Sequence, residues 1–146
     1  MSEEDINEYN KILVKALDND INEGIQKYNS NLIKQIKNDY LQKLLLPREK
    51  LKLFHSKLKE YRYVDDLSDI QYGRYIRWIK LNDPSKIILS NGGVIIDIKI
   101  LQNGIHVVCK NFNNQRFQIK IDECYIFQKL TDQEKIILFA LDHVNT

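Results

Sequence analysis

Two adjacent carboxylates are the first side chains in this sequence that could do chemistry. The stretch Tyr63-Val64-Asp65-Asp66 carries paired acids of the kind that hold divalent cations in nucleotidyl-transfer enzymes. Such a site needs a further carboxylate to complete the ligand set, within a fold that binds the nucleotide. The sequence offers no such set, so we expect Asp65 and Asp66 to have no catalytic role.

Three histidines and two cysteines are the other candidate ligands or nucleophiles. His106, Cys109 and Cys124 have spacings that fit part of a zinc site, but strand residues three apart point to opposite faces. A structural zinc site also needs four ligands. We therefore expect Cys109 in the core and His106 at the surface. His55 and His143 have no obvious catalytic partner, so the sequence predicts no enzyme, cofactor or metal centre.

Three aromatic residues near the middle of the chain could bind a cation. Tyr72, Tyr75 and Trp78 would attract a methylated lysine by cation–π contact if they formed a cage. Strand alternation puts Tyr72 and Trp78 on one face and Tyr75 on the other. This arrangement favours packing in the core or at an interface over a cage.

Basic residues give the sequence an alternative, nucleic-acid-binding interpretation. Segment 21–63 holds ten bases against four acids, and the predicted strands carry an outward basic stripe of Lys99, Lys110, Arg116 and Lys120. Small β-barrels bind single strands with such surfaces together with stacking aromatics. Asp97 on the same outward side weakens the pattern, and ordinary solvated strand faces are the competing explanation.

Two hairpins are the elements that must position these residues. In segment 94–101 the alternation points Val94, Ile96, Ile98 and Ile100 inward and Asp97 and Lys99 outward. An Asn103-Gly104 loop, a strong hairpin signal, would pair Ile100 with Val107 and Ile98 with Cys109. A second loop of odd length, Asn113-Asn114-Gln115, would pair Cys109 with Ile119 and Val107 with Ile121. Further strands are predicted at 72–81 and 125–130, and segment 86–90 is either a short strand or the lead-in to segment 94–101.

Helices are predicted on both sides of these strands. Ser2 can cap a first helix over about 3–17. Segment 21–46 then predicts one helix roughly 40 Å long at 1.5 Å per residue, whose apolar stripe is a candidate partner-binding surface: Ile21, Ile25, Tyr28, Leu32, Ile36 and Tyr40. Pro47 ends it and starts a third helix over 48–60. Thr131 and Glu134 have the spacing of a capping box for the last helix.

The combined pattern predicts an α+β protein. It has N-terminal helices, one of them long and amphipathic, then a five-stranded antiparallel barrel and a C-terminal helix packed on the barrel, divided as 1–63, 64–130 and 131–146. The strands over about 70–130 resemble SH3-like or OB-like barrels in architecture. The stretch Gly73-Arg74-Tyr75-Ile76-Arg77-Trp78-Ile79, a Gly92-Gly93 turn and the ending Phe127-Gln128-Lys129-Leu130 also resemble small uncharacterised proteins of large DNA viruses.

Composition sets the cellular setting that we expect. The net charge is only +2, and two cysteines do not form a disulfide framework. No window approaches the ~18–20 apolar residues of a membrane span, so we expect an intracellular, reducing compartment. We therefore expect a non-enzymatic structural or assembly protein, with a virion or capsid as one setting that the viral resemblance implies. Its long helix and barrel would contact a protein partner or a second copy of the chain.

Overall fold

The computed structural model describes residues 2–144 and is α+β, as predicted. Within that range the α-helices are α1 Glu3–Asp18, α2 Ser30–Gln42, α3 Arg48–Lys57 and α4 Asp132–Val144. The strands are β1 Tyr61–Val64, β2 Tyr75–Lys80, β3 Gly93–Leu101, β4 Gly104–Lys110, β5 Arg116–Lys120 and β6 Cys124–Lys129. None of the described helices is long and apolar enough to cross a membrane.

The chain forms two units, which differ from the three segments expected from the sequence. The first unit combines the segment up to Gln35 with the segment from Leu130, and the second covers Ile36–Lys129. One boundary falls inside α2, and the other follows β6.

The first unit is an assembly of helices held by an apolar core and by polar caps. Its buried residues come from α1, α2, α4 and a 3₁₀ turn: Ala16, Ile25, Ile33, Ile137 and Leu138. Both predicted helix starts are confirmed: Ser2 Oγ accepts from the Asp5 amide at 3.1 Å, and Thr131 and Glu134 form a reciprocal capping box. These caps satisfy amides that have no partner inside the helix.

The prediction of one long helix over 21–46 is wrong. The chain instead forms two 3₁₀ turns, Asp20–Asn22 and Gly24–Lys27, and α2 begins only at Ser30. Asparagine side chains compete for the backbone here: Asn19 Oδ1 accepts from the Ile21 amide at 3.2 Å, and Asn29 Oδ1 accepts from the Leu32 amide at 2.7 Å. Such local bonds favour caps and turns over helix interiors, so the apolar period alone overestimated the helix.

The second unit is built on one open sheet of six antiparallel strands. Its order is β1-β6-β2-β3-β4-β5 and it does not close, so the predicted five-stranded barrel is only roughly right. The sequence placed β1 in the helical arm, whereas Tyr61–Val64 pairs with β6 along its whole length. Segment 86–90, predicted as a short strand or a lead-in, contributes a single bridge, between Leu89 and Ile79.

The sheet has an inner apolar face and, on part of its other side, a cover of helices. The inner face carries Ile76, Trp78, Ile95, Val107, Cys109, Ile119 and Ile126 in one buried cluster. Since these residues come from strands far apart in the sheet order, the sheet curls around them. The opposite face of β1, β6 and β2 packs against Leu41 of α2 and against Phe54 and Leu58, in and just after α3.

Both hairpins have the predicted facing but a register shifted by two residues. Ile98 pairs with Val107 and Ile100 with Ile105, so the first loop is Gln102-Asn103. Val107 pairs with Ile119 in the next hairpin. Its loop is odd in length, as predicted, but is Phe112-Asn113-Asn114, because the Asn111 amide donates to the Gln115 carbonyl at 3.1 Å. Asn114 takes the positive φ of 60° that this turn requires.

A bulge overturns the predicted inward set at the start of β3. The register shifts between Ile95 and Asp97, so Ile95 is 1% exposed while Val94 is 37% exposed. Beyond the bulge the predicted facing holds, since Ile98 packs against the core, although Ile100, two residues further along β3, is 79% exposed. A bulge adds one residue and reverses the side-chain alternation on either side of it, which period-two reasoning cannot detect.

Candidate functional site

A kink after the segment 86–90 leaves the sheet open on one side. β3 pairs with β2 only at Tyr75 and Ile76. Further along β2 the neighbour is Ser90, whose amide donates to the Trp78 carbonyl at 2.9 Å. Gly92 lies between these two stretches with a φ of +90°, and a Cβ there would lie 2.3 Å from the Ile76 carbonyl oxygen. The chain therefore needs glycine at this kink.

The opening is a groove of about 360 Å³ whose exposed lining is almost entirely apolar. We call it the seam groove, and its lining residues are Trp78, Lys80, Asn82, Asp83, Lys86, Ile88, Ser90 and Phe117. Ile88 is 66% exposed and Phe117 is 39% exposed, whereas Trp78 is buried. The rings of Trp78 and Phe117 lie 5.8 Å apart between centroids, so β5 approaches β2 across the groove.

The rim of the seam groove has a small excess of positive charge. Lys80 and Lys86 line it, against one carboxylate, Asp83. Asp83 is engaged within its own turn, since its Oδ1 accepts from the Ser85 amide at 3.0 Å and the Ser85 hydroxyl at 2.6 Å. The two lysines are exposed, so the rim favours an anionic group at a ligand's end.

β5 borders the groove as an edge strand. It is last in the sheet order and pairs only with β4. Along an antiparallel pair, the peptide groups of successive residues point alternately toward and away from the partner strand. The Asn111 amide donates to the Gln115 carbonyl, so the alternation in β5 starts with Gln115 pointing toward the β4 side. The amides and carbonyls of Arg116, Gln118 and Lys120 therefore point away from β4. Edge strands are usually kept short and charged so that they do not pair indiscriminately, and β5 has both properties.

The predicted basic stripe lies together on one sheet face. Lys99 pairs with His106 and His106 with Lys120, while Lys110 pairs with Arg116. Side chains of such partners lie side by side on the same face. Lys120 Nζ is 3.7 Å from Asp122 and 3.8 Å from Glu123, which reduces the charge that it offers to a ligand. We call this surface the basic face.

A polar pocket of about 220 Å³ adjoins the seam groove and shares Lys80 and Asn82 with it. His106 lies in its lining, half-buried rather than freely exposed. One ring nitrogen is 3.0 Å from Asn103 Oδ1, and the other is 3.2 Å from Gln118 Nε2. Both nitrogens are thus occupied by amide side chains, and the ring serves as part of a surface network.

The residues considered for metal and acid–base chemistry are dispersed. Within residues 2–144 no three His, Cys, Asp or Glu side chains are grouped so that they could hold a metal ion. Asp66 Oδ1 accepts from the Ser68 amide at 3.1 Å. Burial raises the pKa of Cys109 to about 12 and, more than the nearby charges, that of Cys124 to about 11. Both thiols are therefore protonated and unreactive near neutral pH.

The predicted partner-binding stripe does not form one helix face. Ile25 is fully buried in the core of the first unit, and Tyr40 stacks on Tyr63 with ring centroids 3.7 Å apart. Tyr28 and Ile36 are half-buried, while Ile21 is 57% and Leu32 37% exposed. Their role in partner binding stays a prediction, and the continuous surface on which it was based is absent from residues 21–46.

The three aromatics considered for a cage are separated. The Tyr75 hydroxyl donates to the Asn91 carbonyl at 2.6 Å, and Tyr72 is 60% exposed in the loop before β2. Of these three aromatics only Trp78 borders the groove. Its apolar neighbours there are Ile88 and Phe117, which the sequence did not single out. The adjacent Ile87-Ile88 pair followed by Gly92-Gly93 was the available signal, because it interrupts strand alternation at the kink.

No family model, curated protein or solved structure matches this chain.

Proposed function

We propose that the second unit is a docking module that takes an extended, apolar segment of another protein into the seam groove. The observation that carries this proposal is the open groove itself, where Ile88 and Phe117 expose apolar surface beside Trp78. Exposed apolar clefts rimmed by polar residues are typical of protein contact sites. An extended segment suits the place because β5 offers unpaired backbone groups along the same groove.

The sole tryptophan of the chain provides the assay. Trp78 lines the groove and is 5% exposed, so an occupant changes its emission. The probe is a blocked peptide with the central sequence Gln-Val-Ser-Val-Gln, and its control has serine in place of both valines. We expect saturable quenching or a blue shift with the valine peptide only. Unchanged Trp78 emission at millimolar valine peptide refutes the proposal.

A matched pair of variants locates the binding. Ile88→Asp puts a charge into the groove, whereas Ile100→Asp makes the same change at a 79% exposed position of β3 outside it. We expect at least tenfold weaker peptide binding for Ile88→Asp and no change for Ile100→Asp. Equal binding by both variants would place the peptide elsewhere.

Nucleic-acid binding is the second candidate function, supported by the gathering of Lys99, Lys110, Arg116 and Lys120 on the basic face. Asp97 and the ion pairs of Lys120 weigh against it. Binding to an oligo(dT) probe should fall steeply with salt and be lost when Lys110, Arg116 and Lys120 are changed to Glu. Salt-independent or absent binding removes this candidate.

A non-enzymatic structural or assembly role is the wider proposal that a docking module suits. A virion setting rests on the resemblance of Gly73-Arg74-Tyr75 and its flanking motifs alone. Mass spectrometry of purified particles from infected cells tests that setting. Absence of the chain from the particles, with the chain present in the same lysate, contradicts it.

A further inference from the structure

We infer that the docked segment adds to the sheet as an antiparallel strand on β5 and carries acidic residues opposite Arg116 and Lys120. Apolar residues would lie between these acids, opposite Phe117 and Ile119, so the segment has the pattern acid–apolar–any–apolar–acid. This inference rests on the proposed function, because it specifies the chemistry of the segment that fills the seam groove.

Backbone geometry supports strand addition. Phe117 pairs with Cys109 and Ile119 with Val107. Counting by twos from Gln115, which accepts from the Asn111 amide, the peptide groups of Phe117 and Ile119 point toward β4. Gln118 then presents its amide and carbonyl to the open side. Within residues 2–144 no backbone hydrogen bond crosses that side of β5, so an added strand finds free donors and acceptors there.

Side-chain alternation determines where the partner's residues go. Strand neighbours share a face, so residues opposite Phe117 and Ile119 point to the inner side, where the groove lies. Phe117 is 39% exposed on this side, and two short aliphatic side chains would cover it. Residues opposite Arg116, Gln118 and Lys120 point to the basic face.

Charge selects the partner and disfavours a second copy. Two β5 strands paired about Gln118 would place Arg116 opposite Lys120 twice, and like charges directly opposite each other destabilise a sheet. A strand with acids at both positions forms opposite-charge pairs instead. Since Asp122 and Glu123 already lie near Lys120, the acid opposite the exposed Arg116 gains more.

Three blocked peptides test the charge pattern, with the central sequences Glu-Val-Ser-Val-Glu, Gln-Val-Ser-Val-Gln and Lys-Val-Ser-Val-Lys. We expect the acidic peptide to bind at least threefold more tightly than the neutral one at low salt, and the basic peptide to bind most weakly. The preference should shrink at 1 M salt because surface ion pairs are screened. Arg116→Gln should reduce the preference more than Lys120→Gln does.

Gln118 provides the test of strand addition. Gln118→Pro removes an amide that β4 does not use, and proline is tolerated at such edge positions, whereas Gln118→Ala keeps the amide. We expect at least tenfold weaker peptide binding for Gln118→Pro and little change for Gln118→Ala. A peptide N-methylated at its central serine lacks the other bond of this pair, which the serine amide donates to the Gln118 carbonyl, so the inference does not depend on the proline variant folding.

The outcomes separate this inference from the proposed function. If the valine peptides bind with no charge preference, the groove docks apolar chains but the inference is wrong. The same conclusion follows if the Gln118→Pro variant binds the peptides as tightly as the unchanged protein does and the N-methylated peptide binds as tightly as the unmethylated one. If no valine peptide binds, the proposed function itself fails. Concentration-dependent dimerisation abolished by the Gln118→Pro change would make a second copy the occupant and overturn the inference, as would displacement of the acidic peptide by oligo(dT).

Discussion

Lys37 offers the sharpest test of how the second unit is held together. Its side chain is buried at 5% exposure. The ammonium group donates to the Leu58 carbonyl at 2.8 Å and to the Tyr61 carbonyl at 3.0 Å. Lys37 therefore joins α2 to the junction between α3 and β1.

The change Lys37→Met keeps most of the side-chain volume and removes both bonds. Hydrogen bonds to charged groups contribute about 1.5–3 kcal/mol each. The Leu58 carbonyl also accepts from the Tyr61 amide at 3.0 Å, so it is not left without a donor. Removing a buried ammonium offsets part of the loss. We expect the free energy of unfolding to fall by about 2–3 kcal/mol.

Urea unfolding followed by Trp78 emission measures this loss within the same unit, with Lys52→Met as control. Lys52 is exposed on α3 of that unit, so its change should cost within about 0.5 kcal/mol. A second readout is His55, whose pKa is lowered by burial first and by the charge of Lys37 second. Lys37→Met should raise the pKa of His55 in an NMR titration. Equal unfolding free energies for the two variants would refute the bridging role.

Three further predictions concern backbone strain and buried thiols. Gly92→Ala should lower the free energy of unfolding in urea by about 2–5 kcal/mol, because the added Cβ would meet a backbone oxygen at 2.3 Å. Gly73→Ala, at a φ of +80° with nothing within 4 Å of the added Cβ, should lower it by only about 1 kcal/mol. Leu45 has a φ of 54° and is 89% exposed, so Leu45→Asn should raise the free energy of unfolding by about 0.5 kcal/mol; a loss would contradict the strain. Burial raises the pKa values of Cys109 and Cys124 to about 12 and 11. As pH rises above the unfolded pKa of about 8.5, the unfolded chain loses these protons first. The contribution of the two thiols to the free energy of unfolding is therefore complete below that pH and falls above it. Unfolding at pH 8 to 10 and a thiol reagent, which should react only with unfolded chains, check this.

The sequence predicted the facing of the hairpin residues better than their register. Val107, Cys109 and Ile119 are all buried, as their alternation indicated. A slip of two residues leaves every side chain on the same face, so the apolar pattern permits several registers. The turns chose between them: Asn114, at a φ of 60°, ends a loop that starts one residue earlier than composition suggested.

The sequence predicted helices well where a cap marked the start and poorly where polar side chains interrupted an apolar period. Ser2 and Thr131 begin helices as expected. Around Asn22 the period of four continued, but its side chain is 4% exposed and donates to the Ala16 carbonyl at 2.8 Å. A buried asparagine with this bond stabilises the turn, and its partner six residues away is visible only in the folded chain.

The seam groove could not be predicted because it results from departures from regular strand geometry. Gly92 kinks the chain beside β2, and a bulge in β3 follows between Ile95 and Asp97. Regular strands would have continued the pairing and left no room between Ile88 and Phe117. Glycine kinks and bulges are the usual means of curving a sheet, and here the curvature also leaves one edge and an apolar lining open. Since Gly92 has no space for a side chain, no other residue would allow the same kink, and the groove is part of the fold itself.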